Sequence, residues 1–176
     1  MKLTGKRIAI LLAEGVEDLE YYVPLMRLKE EGAEVITAAA DMKPVRGKHG
    51  LEIMPTTRID SLKSAELFGL LIPGGWAPDK LRRLPAVTML VREMNAAGKV
   101  IGIICHGGLV AISAGIVKGR SATGSLGIKD DLVNAGATWV DSPAFREDNQ
   151  VWGRVVDDIP DFCRELVAAL HEGPAG

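Results

Sequence analysis

The sequence predicts an α/β protein in three layers, a mainly parallel sheet held between two layers of helices (an α/β/α sandwich). Short, nearly unbroken apolar runs recur along the chain, as expected of strands buried on both faces. Longer segments with apolar residues at three- and four-residue steps alternate with them, the pattern of helices laid on a sheet. Glycines punctuate the changes from helix to strand.

Taken in order, Arg7–Leu12 is the first buried strand. Glu17 to Glu31 reads as a helix, with Leu19, Val23 and Met26 at three- and four-residue steps on one side. Pro24 interrupts it, so either the helix proper starts there or a first turn carrying Glu17 and Glu20 is kinked against it. Gly32 ends the helix, and Glu34–Ala39 is a second strand. Asp41–Pro55 holds Pro44, Gly47 and Gly50 between short polar runs, which suggests a small hairpin or excursion. Leu67–Ile72 is a third strand running into Pro73-Gly74-Gly75. A helix over Leu84–Ala97 stops at Gly98, and Val100–Ile104 is a fourth buried strand. Beyond it come a helical segment after Gly108, a helix over Ile128–Ala135 and a short strand at Thr138–Val140. A hairpin then pairs Pro143–Arg146 with Val151–Val155. The last helix, Asp158–Leu170, turns Ile159, Phe162, Leu166 and Leu170 inward, and Cys163 beside them reads as core.

The chain has 176 residues, 47% apolar and 25% charged, which suits one globular domain over residues 1–176 with a good core. A formal net charge of −2 supplies no field to recruit nucleic acid or an anionic membrane. The apolar run at Ile8–Leu12 is too short to span a bilayer and lacks signal-peptide flanks. Two cysteines make no disulfide framework, and no Cys/His cluster has metal-ligand spacing. The expectation is a cytoplasmic protein that needs no metal or cofactor, with a thiol free for chemistry.

Ligands of an open α/β sheet bind outside the carboxyl ends of its strands. The run Ile101-Gly102-Ile103-Ile104-Cys105-His106-Gly107-Gly108 places a cysteine there, at a sharp strand-to-helix turn, the cysteine form of a nucleophile elbow. A helix start beside the sulfur favours thiolate over thiol. Pro73-Gly74-Gly75 ends another strand. A Gly-Gly turn alone is often only a tight turn, but here the N–H of Gly75 with that of His106 would form an oxyanion hole. Of the three histidines, His49 lies in the turn-rich excursion and His171 near the C-terminus, so His106 is the favoured base. Glu17, Asp18 and Glu20 follow the first strand at the same edge, where acids serve equally as partners of a helix dipole.

These residues form an ordered series that resembles the PfpI-type branch of the ThiJ/PfpI superfamily. The series is Glu17-Asp18-Leu19-Glu20 before Pro24, Arg27 to Gly32, Gly47-Lys48-His49-Gly50 and Ile72-Pro73-Gly74-Gly75 with Ala77-Pro78-Asp79. Ile104-Cys105-His106-Gly107 and Gly127 to Asp131 with Asn134-Ala135-Gly136 complete it. The resemblance runs from Arg7 to about Leu170. It implies the class I glutamine amidotransferase-like, flavodoxin-like fold, a Cys105 nucleophile on a strained elbow and a Glu20 carboxyl hydrogen-bonded to the thiol. It also implies a pocket lined by Glu17, Gly74 and Trp76, and His106 as base with an acidic partner, Asp79, contributed by a neighbouring chain of a homo-oligomer.

Activities credited to that family include intracellular proteolysis, glutathione-independent glyoxalase activity, and deglycation of protein or nucleotide adducts of methylglyoxal and glyoxal. Some relatives act in stress protection or redox sensing. The reading that follows is a thiol-dependent stress enzyme acting on small carbonyl compounds or glycated substrates. An intracellular peptidase, or a non-catalytic redox or chaperone protein, is the alternative. Trp76 stands where relatives often carry a basic or smaller polar residue, and Ser125-Leu126 where some have an aromatic residue and proline. Val151-Trp152-Gly153-Arg154 replaces a stretch with small hydroxyl residues, and Trp152 reads as packing.

Overall fold

The computed structural model describes residues 2–173. Its central sheet is made from the apolar runs: β1 (Arg7–Leu11), β2 (Glu34–Ala39), β6 (Gly69–Ile72) and β7 (Val100–Ile104). A two-residue strand, β5 (Thr57–Arg58), adds one edge, and the hairpin β10 (Ala144–Glu147) with β11 (Gln150–Gly153) forms the other. The seven strands run in the order β10-β11-β7-β6-β1-β2-β5, and only the β10–β11 pairing is antiparallel. The excursion at 41–55 is a hairpin of β3 (Val45–Arg46) and β4 (Glu52–Ile53). A further parallel pair joins β8 (Ser121–Ala122) to β9 (Thr138–Trp139).

Helices α1 (Asp18–Glu30) and α6 (Ile159–Glu172) pack together on one face of the sheet. The other layer holds α2 (Ala77–Leu81), α3 (Pro85–Ala96), α4 (Gly108–Ala114) and α5 (Lys129–Asn134). The inward residues of α6 are those its spacing foretold, and Cys163 is buried among them. Gly102 makes that packing possible: a Cβ there would lie 3.1 Å from Phe162, Leu166 and Leu71. Burial of side chains such as Phe162 and Leu166 contributes roughly 1.5–3 kcal/mol each, which only the close approach secures.

Helix α1 departs from the expected picture in two ways. It runs unbroken through Pro24, whose missing N–H only deprives the Glu20 carbonyl of its helical donor. Its Leu19, Val23 and Met26 side faces solvent, while Glu20, Tyr21, Pro24, Leu25 and Leu28 are buried. A buried acid on the inner face broke the apolar periodicity on which the expectation rested. The last hairpin strand is also shorter than expected, ending at Gly153 and leaving Val155 outside the sheet. No described helix is long and apolar enough to cross a membrane.

Candidate active site

Strands β7, β6 and β1 are neighbours, and their carboxyl ends deliver Cys105, Gly74-Gly75 and the Glu17–Glu20 turn to one place. Cys105 has a φ of 59°, in the left-handed region that non-glycine residues avoid. The chain leaves β7 in extended conformation at Ile104, turns on the cysteine and enters α4 through one 3-10 turn, Cys105–Gly107. That reversal presents the sulfur to the cleft and lays the adjacent imidazole beside it, His106 Nδ1 standing 3.4 Å from Cys105 Sγ.

Glu20 is fully buried. Its Oε2 accepts the Gly74 N–H at 2.7 Å, while Oε1 has no conventional hydrogen-bond partner, and the Cys105 thiol lies against the same carboxyl. Space for this contact exists because residue 74 is glycine. A Cβ there would come 2.5 Å from Glu20 Oε2, 2.8 Å from Cys105 Cβ and 3.0 Å from the His106 nitrogen. Gly75 adopts φ +74°, and an isolated antiparallel bridge ties it to Val16. The Glu17 N–H donates to the Gly74 carbonyl and the Trp76 N–H to that of Gly15, so the 15–17 and 74–76 segments brace each other.

The electrostatics assign a proton to this pair. Burial pushes the Glu20 carboxyl up to about 7, with the Gly74 N–H and the thiol pulling the other way. Burial, then the Glu20 carboxylate, push the Cys105 thiol up to about 12, while the His106 and Gly75 N–H groups pull it down. The expected thiolate therefore does not follow from the helix start alone. Helix α4 offers two turns of dipole, and burial of the sulfur, followed by the Glu20 carboxylate beside it, outweighs them. When Glu20 holds the proton its repulsion disappears and its O–H can donate to sulfur, so protonation of the acid is what makes a sulfur anion accessible. Burial, then Lys48, lower the pKa of His106, which leaves the imidazole neutral and able to accept a proton.

The cleft above these groups has a volume of ≈ 300 Å³. Cys105, His106, Glu20 and Gly75 form its floor; Glu17, Lys48, Trp76, Ser125 and the Val155–Asp157 segment form its walls. Glu17 is buried and pairs with Lys48 at 3.6 Å and His49 at 3.1 Å, and Lys48 lies 5.9 Å over the Trp76 ring. Asp18 fixes the loop that carries Lys48, accepting the N–H groups of His49 at 2.8 Å and Leu51 at 3.0 Å. Trp76 borders the cleft as expected and is largely exposed, whereas Trp152 is fully buried and donates to Gln150.

Lys48 and the Val155–Asp157 wall are the residues whose place sequence reasoning missed. They reach the cleft from a hairpin and a post-strand loop, and only the Gly47-Lys48-His49-Gly50 turn carried any signal. Asp79 is not brought to His106 within the chain. It lies exposed on α2 with its carboxylate accepting from Arg83 at 2.7 Å. Among the described residues, the hydrogen bond of the His106 ring is to sulfur, and no acid pairs with it.

A family model described as the DJ-1/PfpI family matches residues 6–169. The chain belongs to the DJ-1/PfpI family. It is 38% identical over 164 residues to a Pyrococcus furiosus protein named deglycase PfpI, covering 93% of this chain and 99% of that one. It is 35% identical to YraA of Bacillus subtilis, which bears a cysteine-protease name, over 94% of this chain and 99% of that protein. Among solved structures it resembles a two-domain Anabaena variabilis protein with DJ-1/ThiJ/PfpI-like and ferritin-like domains. The TM-score is 0.92 and the identity 34%, covering 94% of this chain and 48% of that one. DJ-1/PfpI membership bears out the resemblance read from the motifs, and the flavodoxin-like α/β fold bears out the predicted layers.

Proposed function

We propose that this DJ-1/PfpI chain is a thiol-dependent enzyme acting on small reactive carbonyls and the adducts they form with amines. The observation that carries the reading is the Cys105 thiol held against a buried, protonatable Glu20 on the floor of a ≈ 300 Å³ cleft. That size favours a three-carbon carbonyl or its small adduct over an extended peptide, the substrate of the peptidase alternative.

In this reading Cys105 Sγ adds to the aldehyde carbon of methylglyoxal, and the thiol proton passes to His106. On a glycated amine the same attack displaces the amine, which leaves with a proton from His106. The hemithioacetal oxygen lies toward the Gly75 and His106 N–H groups. His106 and Glu20 then carry a proton from the first carbon to the second through an enediol, giving a lactoyl thioester. Water cleaves the thioester, returning lactate and the free thiol. The net change is the addition of one water to methylglyoxal, with no outside oxidant or reductant.

The test is a panel of methylglyoxal, a methylglyoxal-glycated amino acid and an unfolded peptide. Lactate from the first two with the peptide left intact is the expected result; peptide cleavage without lactate would replace this reading with the peptidase. The acid orienting His106 is proposed to be Asp79 of a second copy in a homo-oligomer, as the family resemblance implies, since no acid of its own chain pairs with His106 among the described residues. Mixed oligomers of inactive Cys105→Ala and Asp79→Ala chains should recover part of the activity. Verified mixed oligomers that recover none would remove Asp79 from a shared site.

A further inference from the structure

A second cavity, of ≈ 230 Å³, opens beside the cleft and shares Val155 with it. Leu126, Trp139 and Val155 supply its apolar surface, with Gly124, Asp141 and Arg154 completing the lining. Leu126 is 76% exposed, the most exposed large apolar side chain among the described residues, although it adjoins the buried elbow. Its position relative to the nucleophile is fixed by the backbone. The Ser125 N–H donates to the Cys105 carbonyl at 3.4 Å, and a Cβ on Gly124 would stand 2.7 Å from that same oxygen. Trp139 sits on β9, whose neighbour β8 leads directly into this segment.

We infer that this cavity is the subsite for the amine component of a glycated substrate, and that it selects an apolar side chain on that amine through Leu126, Trp139 and Val155. This rests on the carbonyl-adduct reading of Cys105 and extends it to the part of the substrate that departs. An adduct bound with its carbonyl carbon at the sulfur projects its amine side out of the narrow cleft, and the surface continuous with the cleft past Val155 is apolar.

Charge decides against the other kind of amine, a nucleotide base. Arg154, the cation of this cavity, is already engaged, donating to Asp158 at 2.9 and 3.2 Å and to Asp141 at 2.8 Å. Next door, Glu17 and Asp157 line the cleft, and its Lys48 is paired with Glu17 at 3.6 Å. Phosphates would thus meet carboxylates and a guanidinium already paired with Asp158 and Asp141, whereas an uncharged apolar side chain would meet Leu126 and Trp139.

The experiment is an NMR titration of Cys105→Ala protein with unreactive mimics of the amine side: N-acetyl-phenylalanine amide, N-acetyl-alanine amide and adenosine monophosphate. The phenylalanine mimic should bind about ten-fold or more tightly than the alanine mimic, and the nucleotide should bind weakest. Adding Leu126→Asp should cut the phenylalanine preference to about three-fold or less, and Leu126→Ala should lower it partway. Equal affinities for the two amides, a preference untouched by Leu126→Asp, or a nucleotide bound as tightly as the phenylalanine mimic would each overturn the inference. So would a Leu126→Asp chain that changes oligomer size in sedimentation and shows no side-chain preference before the change, which would make the surface an interface. Because binding is read without turnover, a protein that shows the preference yet makes no lactate would sink the carbonyl reading alone.

Discussion

Replacing Cys105 by alanine should lower lactate formation from methylglyoxal on the order of 10⁴-fold or more, because the bond-forming atom is gone and the remaining donors act only on a water reaction. The measurement is lactate formed per enzyme over time, with substrate loss in protein-free buffer subtracted. Persistence of most of the rate would sink the covalent mechanism. The same position makes a structural prediction. Cys105 holds φ 59°, a conformation that costs a non-glycine residue about 1–2 kcal/mol. Alanine keeps that strain and glycine releases it. Cys105→Gly should therefore be more stable than Cys105→Ala by about 1 kcal/mol in chemical denaturation. Equal stabilities would mean that the elbow is relaxed. A more stable glycine variant would show that the elbow stores backbone strain at the cysteine.

Glu20→Gln should lower kcat about 10²–10⁴-fold, the range over which a positioned acid or base contributes. Glutamine keeps an oxygen for the Gly74 N–H but cannot hand a proton to sulfur or receive one. Its effect on stability should run the opposite way and depend on pH. The folded-state pKa of Glu20 is raised from 4.5 to about 7, chiefly by burial. The folded protein thus holds this proton more tightly than the unfolded chain does. The resulting stabilisation is fully present below about pH 4.5 and is lost as pH rises through about 7, by about 3 kcal/mol in order of magnitude. Glutamine does not titrate, so the stability of Glu20→Gln relative to the parent should climb between pH 4.5 and 7 and then level. A difference constant across that window would show that the carboxyl is ionised throughout. A climbing difference with undiminished turnover would make Glu20 a structural acid only.

These two residues also show why the site was only partly legible in the sequence. Cys105 was readable because a local rule identifies it: a buried strand, a cysteine, and small residues that let a helix start at once. Glu20 obeyed no such rule. An acid in the first turn of a helix is ordinarily a solvated partner of the helix dipole, and resemblance to a family supplied its role. Burial turns it into a proton holder, and burial comes from β6 and the Gly74 turn, more than fifty positions along the chain.

The same division runs through the rest of the molecule. The apolar runs and the glycine punctuation determined the strands β1, β2, β6 and β7, the helices between them and the inward face of α6, because those signals repeat within a few residues. The inner face of α1 was not determined that way, since its buried positions include Glu20 and its exposed ones Leu19, Val23 and Met26. Lys48 and Val155 reached the cleft of the sulfur, and Leu126 the cavity beside it, only when a hairpin, a post-strand loop and the segment after β8 folded to one sheet edge. For Cys105 itself, sequence determined its place on the turn. Tertiary structure decided its company: a fully buried carboxyl, a neutral imidazole at 3.4 Å and N–H groups facing the sulfur. Desolvation and charge act through space, and the groups that shift the thiol come from three separate strands' ends.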